Sequence, residues 1–153
     1  MKMQGFPSPQ GAPEEMGIGG CALLSLSVAA EVLEAVPEAQ ARGFFLSLGR
    51  RIAGLESLEG VIDVATLASR LDGFWNALEW GRVEIEPGDD GFLVRHRGLP
   101  LRVAADPQGH WAAMLATVLE GAYDSWFRTL GSGPALHTRA RWNGDTLELH
   151  HGR

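Results

Sequence analysis

The sequence predicts an α+β domain in which about four antiparallel strands, arranged as two hairpins, pack against four to five helices. Three observations lead to this class. Apolar residues recur at helical spacing in four segments, polarity alternates in two later regions, and Asn143-Gly144 is a strong turn signal. The expected order is helix, helix, helix, hairpin, helix, hairpin, and we expect the helices to join copies of the chain into a homo-oligomer.

The chain has 153 residues, a length typical of one domain of about 100 to 200 residues. Residues 1–20 contain five glycines and three prolines, which predicts a flexible N-terminal arm without a fold of its own. Residues 21–153 are expected to form the single α+β domain.

Composition excludes several classes of function. A net charge of -6 argues against binding to nucleic acid, whose phosphates select basic surfaces. The single cysteine, Cys21, cannot form an internal disulfide, so we expect a cytoplasmic protein. The uncharged segment at 18–30 follows a polar, acidic stretch, the reverse of a signal peptide, and it is shorter than the roughly 20 residues that span a bilayer.

The first two helices are predicted at Cys21–Val36 and from Pro37 to about Leu55. The first has apolar surface on several sides and one narrow polar strip. We expect basic residues of the second helix to offset that acidic strip. The strip contains Ser27, Glu31, Glu34 and Glu38, and the basic residues are Arg42, Arg50 and Arg51.

Asp63 is a natural N-cap for a third helix, whose apolar residues repeat on a single face. After Gly81 the polarity alternates, so Arg82–Glu86 and Phe92–Arg97 are predicted to form the first hairpin. Leu101–Val103 is a possible extension of this ladder.

The longest helix is predicted within Gly109–Gly131, and its apolar residues form two adjacent stripes. Together the stripes cover roughly half the circumference, more than the arc of about 100° that a surface helix buries. Such a helix needs two apolar partners, so it is either a thick core helix or one shared between the core and a subunit interface. Gly121 in its middle is expected to admit a neighbouring backbone. A narrow solvent-exposed strip remains, formed by Glu120, Asp124 and Arg128, and the i,i+4 spacing of Asp124 and Arg128 predicts an ion pair.

The chain closes with a second hairpin, in which Leu136–Trp142 and Thr146–His150 flank Asn143-Gly144. This dipeptide predicts a type I′ turn.

No catalytic arrangement is evident in the sequence. Its five histidines form neither an HExxH motif nor a zinc pattern with cysteine, so we predict no metal, no cofactor and no enzymatic activity. The histidines are His96, His110, His137, His150 and His151.

An ordered set of short motifs then points to a family. It begins with Trp80-Gly81, a Val-Glu-Ile-Glu strand and Leu99-Pro100, and it continues with Gly109-His110-Trp111. The last members are Val118-Leu119-Glu120-Gly121, Tyr123 and Trp126. In this order the chain resembles the D-type subunit of the bacterial cellulose synthase complex, from about Leu23 to His151 and most densely between Phe74 and Gly131.

The resemblance implies a non-catalytic accessory protein that assembles into a ring-like octamer beside the inner-membrane synthase. Such a ring promotes ordered extrusion and crystallinity of β-1,4-glucan, and related systems add a Pro-rich accessory protein. The alternative from the residues alone is a small α+β module that holds an apolar ligand between helix and sheet.

Two sets of site residues follow. The predicted oligomer interface consists of Leu23, Leu26, Leu33, Leu119, Tyr123, Trp126 and Phe127. In the family, N-terminal residues partly line passages for glucan, but the arm of this chain departs from the family pattern. The predicted glucan contacts are therefore chosen only for their amide and aromatic groups, and they are Gln4, Phe6 and Gln10.

Overall fold

The computed structural model describes residues 19–101 and 106–153. It confirms the α+β class and the predicted order of elements. Residues 1–18 of the predicted arm and the predicted strand extension at 102–103 lie outside the described residues, whereas Gly19 and Gly20, the last two residues of the predicted arm, are the N-cap and the first residue of the first helix. The elements are α1 (Gly20–Ala35), α2 (Glu38–Ala53), α3 (Val64–Ala77), β1 (Arg82–Gly88), β2 (Gly91–Arg97), α4 (His110–Thr129), β3 (His137–Asn143) and β4 (Thr146–Gly152).

The four strands form one antiparallel sheet in the order β1-β2-β4-β3. Both predicted hairpins are present, and they join through the pairing of β2 with β4, in which Val94 lies opposite Leu149. Alternate residues of the strands point to the helices, as period-2 patterning requires. The buried apolar residues on this face are Val83, Ile85, Val94, Leu147 and Leu149.

The predicted type I′ turn at Asn143-Gly144 is wrong by one residue. Asn143 pairs with Thr146, so the two-residue loop is Gly144-Asp145. Gly144 has a φ of 61°, whereas Asp145 is not among the residues with positive φ. A type I′ turn needs positive φ at both positions, while a type II′ turn needs it only at the first, where glycine is preferred. The observed register places Trp142 opposite Leu147, whereas the predicted turn would place it opposite Asp145.

Helices α2 and α4 cross in close contact through a pair of glycines. A Cβ added at Gly121 would overlap the carbonyl oxygen of Leu46, and one added at Gly49 would overlap the carbonyl oxygen of Val118. The prediction that Gly121 admits a neighbouring backbone is therefore confirmed. Its reciprocal partner, Gly49, was not predicted.

The wide apolar surface of α4 is covered on two sides by its own chain. On one side it packs against α2, where Trp126 Nε1 donates to the Ala53 carbonyl at 3.1 Å. On the other it packs against the sheet, and Trp142 Nε1 of β3 donates to the Ala112 carbonyl at 3.0 Å. Helix α1 packs on α4 as well, so the apolar partners that this helix needs are present within its own chain, as expected of a core helix.

Helix α3 begins as predicted. The Asp63 carboxylate accepts from the Thr66 N–H at 2.7 Å, which satisfies one of the free donors of the first turn. Further along, the Asp72 carboxylate accepts from the Val83 N–H at 2.8 Å and from Arg82 Nε at 2.9 Å. These contacts join α3 to the edge strand β1.

We predict opposite effects of alanine at two glycines of α2. At Gly43 a Cβ meets no atom within 4 Å, so Gly43→Ala should stabilise the helix by about 0.5 to 1 kcal/mol. At Gly49 the Cβ would meet the backbone of α4, so Gly49→Ala should lower the free energy of unfolding by about 1 to 3 kcal/mol. Urea unfolding measures both, and equal stabilisation by the two variants would contradict the close crossing.

Candidate assembly surface

Helix α1 differs from α4 because the described residues leave much of its apolar surface uncovered. Leu23 is 52% exposed, Leu24 66% and Val28 44%. We call these three residues the α1 surface. Scattered exposed apolar residues are ordinary, but three within two turns of one helix form a contiguous patch of the kind that marks interaction sites.

The opposite face of α1 holds the helix on the domain. Leu26 and Ala29 are buried, and Leu33 is half-buried against the core. At the last turn of α1, Glu34 Oε1 lies 2.8 Å from His110 Nε2 in the first turn of α4. One face of α1 is therefore fixed while the α1 surface points away from the core.

The structure separates the predicted interface residues into three groups. Leu23 is exposed, and Leu26 and Leu33 face the core of their own chain. The remaining four belong to α4 and lie in the core, at most 3% exposed, because α2 and the sheet cover that helix. They are Leu119, Tyr123, Trp126 and Phe127.

The other two residues of the α1 surface, Leu24 and Val28, were not among the residues predicted for the interface. The signal was present in the sequence, because α1 is apolar on several sides. The predicted glucan contacts Gln4, Phe6 and Gln10 lie outside the described residues.

Beneath the helices lies a buried aromatic cluster. Trp75 stacks on Trp80 with ring centres 5.6 Å apart and meets Trp126 edge-on at 5.7 Å. His96 Nε2 lies 2.6 Å from the Trp80 carbonyl oxygen, which can only accept, so this nitrogen carries the proton. His96 Nδ1 then accepts from the Tyr123 hydroxyl at 3.3 Å.

The protonation of His96 follows from its burial. Burial lowers the pKa of His96 to about 4, although the Trp80 carbonyl and the charge of Asp72 act in the opposite direction. His96 is therefore neutral near pH 7, and it forms part of the structural core.

Glu120 has a different role from the one predicted. It is only 5% exposed, since β3 crosses its side of α4, and its carboxylate accepts from Arg42, from Arg139 and from the Ala140 N–H at 3.1 Å. The prediction that Arg42 offsets the acidic strip of α1 is therefore wrong. The predicted pair of Asp124 and Arg128 is confirmed at 2.7 Å.

Within residues 19–101 and 106–153, no group of three or more His, Cys, Asp or Glu side chains could hold a metal ion. No helix there is both long and apolar enough to cross a bilayer.

These features define a small α+β protein whose most distinctive surface, among the described residues, is the exposed apolar patch on α1. A family model that describes the D-type subunit of cellulose synthase matches residues 25–151. The chain therefore belongs to this cellulose synthase family and has a role in cellulose synthesis as part of the synthase complex. No curated protein matches the chain.

The low pKa of His96 predicts how the free energy of unfolding depends on pH. The unfolded chain, with a histidine pKa near 6.5, takes up this proton before the folded chain does, so stability should fall as the pH drops from about 6.5 towards 4. The contribution of His96 between pH 7 and pH 4.5 should be about 2 to 3 kcal/mol. Urea unfolding at both pH values tests this. His96→Asn should show a smaller pH dependence, and an unchanged one would contradict the assignment.

Proposed function

We propose that this chain is a non-catalytic accessory protein in bacterial cellulose synthesis that assembles into a homo-oligomer through α1. The observation that carries the proposal is the α1 surface, because the long apolar helix α4 is already covered by its own chain. Membership of the cellulose synthase family supplies the context, a complex in which other subunits are present.

The energetics indicate how far the α1 surface can drive assembly. Complete burial of a leucine or valine side chain stabilises by about 1.5 to 3 kcal/mol, so three half-exposed side chains contribute roughly 3 kcal/mol per copy. A twofold interface uses the same patch on both copies, which doubles this to about 6 kcal/mol. Association costs about 4 to 15 kcal/mol in lost freedom, which leaves about 2 kcal/mol at most, so a stable oligomer needs further apolar area. Val36 and Phe44, 36% and 48% exposed, are the nearest such residues along the chain.

The finer features of the proposal follow the family resemblance. They are a ring-like octamer beside the inner-membrane synthase, on its cytoplasmic side, and the promotion of ordered, crystalline β-1,4-glucan. A Pro-rich accessory protein is the further proposed partner. The order of the sequence supports the glucan part, because residues 1–18 precede Gly19, which is the N-cap of α1. Assembly through α1 would bring several arms together, with Gln4, Phe6 and Gln10 as their proposed glucan contacts.

A second candidate function has one observation in its favour. A half-open cavity of about 390 Å³ lies between the start of α3, strand β2 and the end of α4. Its walls include Val64, Phe92, Phe127 and Leu130, so it suits a small apolar ligand. Such a ligand site and assembly through α1 are compatible, because the cavity does not include the α1 surface.

We predict that Leu23→Asp combined with Leu24→Asp disrupts the oligomer. Each carboxylate would be desolvated without a partner in the interface, at a cost of several kcal/mol in total. Light scattering coupled to size exclusion should give a mass near 16.5 kDa for the variant and a multiple of it for the unmodified chain. Circular dichroism should show the same fold in both.

Leu55→Asp is the matched control, since Leu55 is 74% exposed but lies outside α1. It should keep the oligomeric mass. An oligomer that survives both Asp substitutions in α1 would show that the interface lies elsewhere. Trp126→Asp or Leu119→Asp cannot serve this purpose, because both side chains are in the core and the variants should unfold.

A further inference from the structure

Four polar side chains form a hydrogen-bonded series that ends at the wall of the 390 Å³ cavity, which Ser132 and His151 line. Ser132 Oγ lies 2.6 Å from His151 Nε2, and His151 Nδ1 lies 2.9 Å from Thr138 Oγ1. Thr138 Oγ1 in turn lies 3.0 Å from Asp124 Oδ1. The hydrogen-bonded series therefore begins at the carboxylate of Asp124 in α4, passes through Thr138 of β3 and His151 of β4, and ends at the hydroxyl of Ser132, just beyond the end of α4.

The proton positions along this series are fixed by its acidic end. The Asp124 carboxylate accepts from Arg128 Nε at 2.7 Å and from the Thr138 hydroxyl, and as an ionised group it can only accept. Because the single hydroxyl proton of Thr138 goes to Asp124, its oxygen must accept from His151 Nδ1–H. His151 Nε2 is then the free acceptor, and Ser132 donates its hydroxyl proton to it.

The charge states agree with this arrangement. Burial lowers the pKa of His151, and the Asp124 charge raises it by less, while Arg128, His150 and His137 act in the same direction as burial. His151 is therefore neutral near pH 7. Burial alone would raise the pKa of Asp124, but the hydrogen bonds from Arg128 and Thr138 outweigh it, so Asp124 stays ionised.

Packing holds both reacting groups in place. The His151 ring stacks on Phe127 with centres 4.5 Å apart, and it is fully buried behind the partly exposed Ser132. The Ser132 N–H donates to the Phe127 carbonyl at 3.0 Å, and Gly131 before it has a φ of 98°. Ser132 is thus held where its oxygen can face the cavity.

We propose that Ser132 is a nucleophile for esters with an apolar acyl group, which the cavity would hold. A hydroxyl that donates to an unprotonated histidine, itself oriented by a further acceptor, is the arrangement that activates serine. The apolar walls formed by Val61, Val64, Leu67 and Phe92 select the acyl part. The proposed accessory role is non-catalytic with respect to glucan synthesis, and this ester hydrolysis is a separate activity that does not depend on assembly.

The reaction balances with water as the only co-reactant. Ser132 Oγ bonds to the carbonyl carbon while its proton passes to His151 Nε2. The ester C–O bond breaks, and the leaving alcohol takes that proton. Water then attacks the acyl-serine by the same route, which releases a carboxylic acid and restores Ser132.

The test uses the full chain with p-nitrophenyl hexanoate and p-nitrophenyl acetate, followed by peptide mass mapping. We expect an acyl adduct at Ser132 that forms faster with hexanoate than with acetate. Ser132→Ala should remove it. Ser69→Ala, which changes an exposed serine of α3 outside this cavity, should retain it.

Two further variants test the role of the histidine. His151→Gln should slow acylation about 100-fold, the scale of general-base catalysis. Thr138→Val should also slow acylation. This variant replaces His151→Gln as the test if His151→Gln does not fold. In the unmodified chain the rate should fall as the pH drops through the lowered pKa of His151, and it should be constant above about pH 7.

Two results would overturn the proposal. One is a folded, unmodified chain that acquires no adduct at Ser132. The other is an adduct at Ser132 that forms at the same rate in Thr138→Val as in the unmodified chain. The oligomeric mass is unaffected by either result, so failure here is distinguishable from failure of the assembly proposal.

Discussion

The close crossing of α2 and α4 at Gly49 and Gly121 is the constraint on which the rest of the fold depends. With no Cβ at either position the two backbones touch. Arg42 can then reach the buried Glu120, and Trp126 can donate to the Ala53 carbonyl. Helix α1 also packs on α4, through the face on which Leu26 and Ala29 are buried. The described residues leave its other face, the α1 surface, uncovered.

Sequence patterns predicted the elements of the fold but not the contacts between them. Helical and alternating periodicity are local properties, so four helices, both hairpins and the N-cap at Asp63 could all be predicted. Gly121 could be identified because a glycine inside a helix is unfavourable unless a neighbour needs the space. Its partner Gly49 and the burial of Glu120 depend on which helix and strand lie against α4. That information is not contained in either segment alone.

Because sequence patterns are local, they also could not show which residues would meet at the candidate sites. The apolar width of a helix predicts how many partners it needs, but it does not say which chain provides them. For α4 both partners come from the same chain, while part of α1 stays uncovered. Likewise Asp124, Ser132, Thr138 and His151 meet only because β3 and β4 pack beside the end of α4. No spacing in the sequence would have indicated that group.

The apolar core is formed within one chain, and we propose that the α1 surface binds other copies of it. Sedimentation equilibrium of the unmodified chain over a wide range of dilution tests this most directly. We expect a mass that is a multiple of 16.5 kDa and that persists until the interface dissociates at low concentration. A mass of 16.5 kDa at every concentration would contradict it.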